Sequence, residues 1–158
     1  KNEQSEFASV SAHNTVQFDD HDQMPRLSRF LYGAWTRVKD MTHTQDSWAG
    51  QYTDTWGAMH SRKVEQREDG YFIVDTLKGF VKKAVLRWHT PILDWQYRDG
   101  AWVGPGVSLT IDVNGTACKP TIRPADASLY YQEKHEIRVF ELEVGPETDT
   151  ICTTITLS

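Results

Sequence analysis

Long hydrophobic runs are missing from this 158-residue sequence, and nothing in it approaches the roughly 20 consecutive apolar residues of a membrane-spanning helix. A concentrated basic face is missing too. The densest cationic cluster is Lys82, Lys83 and Arg87, in a chain of formal net charge −5. That excludes the usual electrostatic footprint of a nucleic-acid partner, while a local basic groove facing an anionic polysaccharide remains compatible with an acidic whole. Cysteine is scarce. Cys118 and Cys152 fall in separate strand-like segments, leaving a cross-strand bridge and two buried thiols equally open. No stretch joins a sustained 3.6-residue apolar period to helix caps, so a helical domain is not expected. Walker-type loops, a Gly-x-Ser-x-Gly elbow, Cys-x-x-Cys and His-Glu-x-x-His are all absent, which removes the commonest nucleotide, hydrolase, redox and zinc-protease signatures. There is no internal repeat, low-complexity tract or evident linker, so residues 1–158 read as one domain. The chain has no initiator Met and opens on the polar run Lys1-Asn2-Glu3-Gln4-Ser5-Glu6. No signal peptide is visible there, and Lys1 reads as a processing site or a cut within a longer protein.

What is present is β patterning. Val107, Leu109, Ile111 and Val113 alternate with Ser108, Thr110 and Asp112, and Ile151, Thr153, Ile155 and Leu157 repeat the period at the C-terminus. Between Ile137 and Val144 the apolar phase slips, which predicts a β-bulge near Val139-Phe140. Asp69-Gly70, Asp99-Gly100 and Asn114-Gly115 each separate two such runs, and each suits the positive φ of a tight hairpin. The pattern predicts ten or more short strands in a hairpin-rich meander. Two packed antiparallel sheets, an all-β sandwich, are the natural way to bury their inner faces.

Four segments resemble the β-sandwich region of heparinase II/III-like polysaccharide lyases. Ser11-Ala12-His13-Asn14-Thr15-Val16, followed by Asp19-Asp20-His21-Asp22-Gln23, is similar to the family's Ala-His-Asn-Thr strand and its Asp-Gly turn ending in Gln. His60-Ser61-Arg62 is similar to the family's His-x-Arg strand, and Tyr71-Phe72-Ile73-Val74-Asp75 to the strand and Asp that follow. Ala84 to Trp88, then His89-Thr90-Pro91, resembles a strand ending in His-x-Pro. The likeness covers about the first 95 residues. It departs from the family turn at Asp20, where Gly is usual.

The resemblance implies a parent lyase that cleaves an acidic polysaccharide by β-elimination, with this chain its C-terminal sandwich and inactive alone. A degradative lyase of that kind would be periplasmic or secreted. The resemblance also places outside this chain an α/α-toroid domain bearing the catalytic Tyr, and a β segment whose His and Asp help bind a metal. His13 aligns with the His that completes a zinc site in some members, so zinc is implied for the intact parent and not for this chain by itself.

Other residues are weighed on their chemistry. Asn14 suits a substrate carboxylate, support of His13, or a bond across the sheet. His60 and Arg62 share a strand face, where Arg62 could grip a sugar carboxylate or join an ion-pair network between sheets; the second reading is favoured. His89, beside Trp88, reads as a hydrogen-bonded core histidine, and Asp19 to Asp22 as a solvated polar turn. Trp48, Tyr52 and Trp56, at i, i+4 and i+8, could line a loop near a cleft, with Trp48 and Trp56 stacking on sugars, although tryptophan in a sandwich is more often core. His43 and His135 have no evident partners, and Asn114-Gly115-Thr116 is a glycosylation sequon that the hairpin alone explains. The alternative function is a non-catalytic carbohydrate-binding or structural module, with a parent that tailors a cell-surface polysaccharide as a third possibility.

Overall fold

The computed structural model describes residues 9–28, 31–128 and 133–158. Among them the alternating segments become thirteen strands and one 3-10 turn, Val10–Ala12. In chain order the strands are β1 (Val16–Phe18), β2 (Arg37–His43), β3 (Ser47–Thr53), β4 (Met59–Arg67), β5 (Gly70–Lys78), β6 (Ala84–Thr90) and β7 (Gln96–Arg98). They continue with β8 (Ala101–Gly104), β9 (Val107–Val113), β10 (Thr116–Cys118), β11 (Thr121–Ala127), β12 (His135–Val144) and β13 (Thr150–Leu157).

Two antiparallel sheets result, as the alternation predicts. One has four strands in the order β1-β6-β12-β11; the other has nine, ordered β2-β3-β4-β5-β13-β9-β8-β7, with β10 also paired to β9. Their inner faces supply the core: Val16, Phe18, Leu86 and Phe140 from the smaller sheet meet Leu77, Leu109, Ile111 and Ile151 from the larger. Phe140 sits at its centre, edge-on to Trp95 with ring centroids 4.9 Å apart and tilted against Trp102 at 5.7 Å.

Turn chemistry sets two hairpins as expected. Asp99 and Gly100 both take positive φ between β7 and β8, as do Asn114 and Gly115 between β9 and β10. The β4–β5 hairpin differs. Its two-residue loop is Glu68-Asp69, and Gly70 already belongs to β5, paired with Arg67. Gly70 is required for another reason: a Cβ there would lie 2.0 Å from the Ile155 carbonyl oxygen of β13.

The expected bulge at Val139-Phe140 is not there. The register of β12 runs unbroken against both neighbours, with Val139 opposite His89 and Arg123, and Phe140 opposite Trp88 and Ile122. Val139 and Phe140 are both buried on opposite faces of an inner strand, so the apolar phase changes there without an extra residue.

The two cysteines lie on either side of β9. Cys118 pairs with Ile111 and Cys152 with Asp112, so their side chains leave opposite faces of the sheet, two strand spacings apart. That is about 10 Å, beyond the ~7 Å that a disulfide spans. Thiol titration of the unreduced, denatured chain should therefore find both cysteines free; an intramolecular bridge would contradict this packing.

Candidate functional site

The site forms where the chain enters β1, at the edge of the smaller sheet. Ser9 caps the 3-10 turn and donates to Asp22 Oδ1 at 2.9 Å; the same oxygen accepts the Val10 N–H at 2.9 Å. Asp22 thereby ties the residues after β1 back to those before it. His13, Thr15, Asp22, Gln23, Arg26 and Tyr32 line a cavity of about 380 Å³ beside this turn. Asp19 and Asp20 take positive φ, so Asp20 adopts the left-handed conformation that Gly favours in the family turn. Asp19 accepts the N–H groups of Val81, Lys82 and Lys83. Burial pushes its carboxyl up, but those three N–H groups, with His21 nearby, hold it below the usual range. The Asp19–Asp22 turn is thus a structural clasp.

Asn14 and His13 are exposed. Asn14 Oδ1 accepts from the backbone N–H of His89 at 2.7 Å and from His89 Nδ1 at 3.0 Å. His89 is hydrogen-bonded as expected, but it is only half-buried. It stands at the rim of a second cavity of about 300 Å³, with Ser11, Ala12, Arg123 and Lys134. Burial first, then the charges of Arg123, Arg87 and His13, hold its imidazole below the usual histidine range against a bond to the Ser11 backbone.

Behind Asn14 lies a buried charge cluster. Asp75 on β5 has no exposed surface. His60 Nε2 donates to its Oδ1 at 2.5 Å; Arg62 donates through Nε to Oδ1 at 2.6 Å and through Nη2 to Oδ2 at 3.1 Å. Register explains the meeting, since Arg62 pairs directly with Asp75, and Tyr52 with His60. Burial raises the Asp75 carboxyl, but His60 and Arg62 outweigh it and hold the group below the carboxylate range. Arg62 also lies over the Trp88 ring of β6, 4.4 Å from its centroid, and its Nη1 donates to the Asn14 carbonyl at 2.5 Å. The Trp88 indole N–H reaches Thr153 Oγ1 on β13 at 3.2 Å. Arg62 and Trp88 each tie the two sheets together.

Tyr52 connects cluster and cavity. Its ring stands edge-on to His60, its hydroxyl accepts from Gln23 Nε2 at 2.7 Å, and it donates to the Val16 carbonyl at 3.4 Å. Burial pushes its phenol up to about 12, against bonds to Thr15 and Gln23, so it stays neutral. Trp48 and Tyr52 do not share a loop with Trp56. They occupy one face of strand β3, about 13 Å apart at four residues' rise, and Trp56 sits in the turn beyond. Trp48 is 45% exposed and Trp56 51%. Asp54 Oδ1 accepts the Trp56 N–H at 2.9 Å, and one face of the Trp56 ring is stacked on His21, centroids 3.9 Å apart.

The structure thus brings His13, Asn14 and Arg62 together, and places Trp48 on strand β3 and Trp56 in the turn that follows it. Gln23 and Asp75 stand within motifs legible in the sequence, whereas Arg26 and Tyr32 carry no local signal and are identified by the cavity alone. Among the described residues no three His, Cys, Asp or Glu side chains converge as metal ligands. Of the zinc-type side chains lining the cavity, Asp22 has its Oδ1 engaged by Ser9 and Val10. No described helix is long and apolar enough to cross a membrane.

A family model described as "Heparinase II/III-like, C-terminal" matches residues 2–135. The curated proteins and the solved structures compared with the chain gave no match.

Proposed function

We propose, for a chain that belongs to the heparinase II/III-like family as its C-terminal domain, that the parent protein is a lyase acting on acidic polysaccharide by β-elimination. This domain then forms one wall of the cleft. The observation that carries the reading is the cavity of about 380 Å³ built on His13 and Thr15 of the family-like strand.

Elimination removes the proton at C5 of a uronate and expels the 4-oxygen. The obstacle is the weak acidity of C5, so the greatest demand on the site is to neutralise the carboxylate as the enolate develops. Proton transfer by Tyr- and His-type groups near their working pKa supplies the rest. In this chain His13, Gln23 and Arg26 offer donors at the cavity that suit a carboxylate or ring hydroxyls. The exposed face of Trp48 offers a sugar-stacking surface. Tyr52, hydrogen-bonded to Gln23 and to the Val16 carbonyl, holds Gln23 at the cavity. A zinc ion in the parent would take His13 as one ligand and draw the others from outside this chain.

The test is the formation of unsaturated uronate from alginate, hyaluronan and heparin. The parent protein should give product from at least one, and the 158-residue chain from none. Robust product from the chain alone would overturn the division of labour, and none from an intact, folded parent would overturn the lyase reading.

A further inference from the structure

We infer that Arg62 is a positioning residue: it holds the His13–Thr15 main chain, through the Asn14 carbonyl, in the conformation that shapes the cavity. The inference rests on the proposed role of that cavity in binding an acidic oligosaccharide, but its geometry stands independently.

Each nitrogen of the Arg62 guanidinium donates to a protein acceptor: two to the Asp75 carboxylate and Nη1 to the Asn14 carbonyl. Its face rests on Trp88. A guanidinium held by a bidentate carboxylate and an aromatic plane has little freedom left, so Nη1 is aimed. His60, on the same strand, takes Asp75 Oδ1 from the other side and fixes the carboxylate in turn.

The target of Nη1 decides what the cluster does. Three successive carbonyls lead into β1. That of His13 accepts the Thr15 N–H, that of Thr15 accepts the Arg87 N–H, and that of Asn14 accepts Arg62. The first is a local turn bond and the second belongs to the smaller sheet. Only the third reaches the larger sheet, 48 residues away in sequence. His13 and Thr15, on either side of Asn14, both line the cavity. Losing the Arg62 bond leaves the Asn14 carbonyl exposed to water, so the fold tolerates it while the main chain at Asn14 loses its link to the larger sheet. A buried pair of the same sign and strength pointing elsewhere would stabilise the sandwich without shaping the cavity.

Arg62→Lys separates these roles. Lysine keeps a cation for Asp75 but has one point-like ammonium, unable to serve the carboxylate and the Asn14 carbonyl together. Backbone hydrogen exchange of the 158-residue chain should accelerate at least tenfold at His13 and Thr15, with β9 and β13 at wild-type rates. Affinity for whichever of the alginate and heparin oligosaccharides binds the wild type should fall at least fivefold. If Arg62→Lys does not fold, the double variant Arg62→Gln with Asp75→Asn, which replaces the charges by neutral amides, should show the same local acceleration. Unchanged exchange at His13 and Thr15, or equal acceleration in every strand, would overturn the inference. Wild-type chain that binds neither oligosaccharide would instead count against the proposed function and leave the exchange result to decide the role of Arg62.

Discussion

Asp75→Ala is expected to destabilise the chain by about 3–5 kcal/mol, the usual cost of removing one partner from a buried ion pair. The carboxylate is fully enclosed and receives three hydrogen bonds from His60 and Arg62. Its loss strands the Arg62 cation between the sheets and removes the partner of a buried imidazole. Marginal stabilities of about 5–15 kcal/mol make this a large fraction of the total, and urea denaturation would read it directly. The cluster also predicts an acid transition. Because the folded-state pKa of Asp75 lies below the ordinary aspartate value, its contribution is fully present above the unfolded pKa. It is lost as pH falls through the folded one. Asp75→Asn should remove this part of the pH dependence below the unfolded pKa. An Asp75→Ala chain as stable as wild type would show that His60 and Arg62 do not depend on the carboxylate.

Phe140→Ala should cost a comparable amount, about 3–5 kcal/mol, through a different mechanism. Phe140 is the smaller sheet's central contribution to the core and packs against Trp95 and Trp102, which come from the β7–β8 side of the larger sheet. Trp102 is pinned by its indole N–H to the Pro120 carbonyl, and so cannot swing into the space. A cavity would remain. At roughly 2–4 °C per kcal/mol for a chain of this size, the melting temperature should drop by about 6–20 °C. Phe140→Leu, which fills most of the volume, should lose clearly less. Equal losses for both would mean that aromatic contact, and not volume, is what the core requires.

The contrast between these two residues shows what local sequence carries. Phe140 lies in an apolar run whose burial follows from composition, although its phase slip suggests a bulge; two-sided burial of an inner strand produces the same pattern. Arg62 and His60 are legible as same-face neighbours because strands have period two. Their shared partner Asp75 lies thirteen residues from Arg62, and its pairing follows from the β4–β5 register set by a Glu68-Asp69 loop. A loop placed one residue later would have set Asp75 opposite Val64 and left Leu77 opposite Arg62. Gly70 invites that misplacement, since the strand-strand approach it permits is long-range and leaves no mark nearby. The tryptophans are the least legible. Trp88, Trp95 and Trp102 pack against or within the core while Trp35, Trp48 and Trp56 are exposed, and nothing in their immediate neighbours separates the two groups. Family-like motifs locate His13 and Asn14, but the cavity beside them also takes Arg26 and Tyr32 from a segment without a motif.

Whether the His13 cavity receives an acidic sugar can be read from a residue-resolved NMR titration of the 158-residue chain with alginate and heparin oligosaccharides, beside a neutral oligosaccharide as control. Shifts are expected at His13, Thr15, Gln23 and Arg26, with the Trp48 indole responding, from at least one acidic ligand and not from the neutral one. Trp48→Ala should bind more weakly without loss of stability. Shifts confined to surfaces away from the His13 cavity, or equal response to the neutral sugar, would contradict a cleft wall built on this strand.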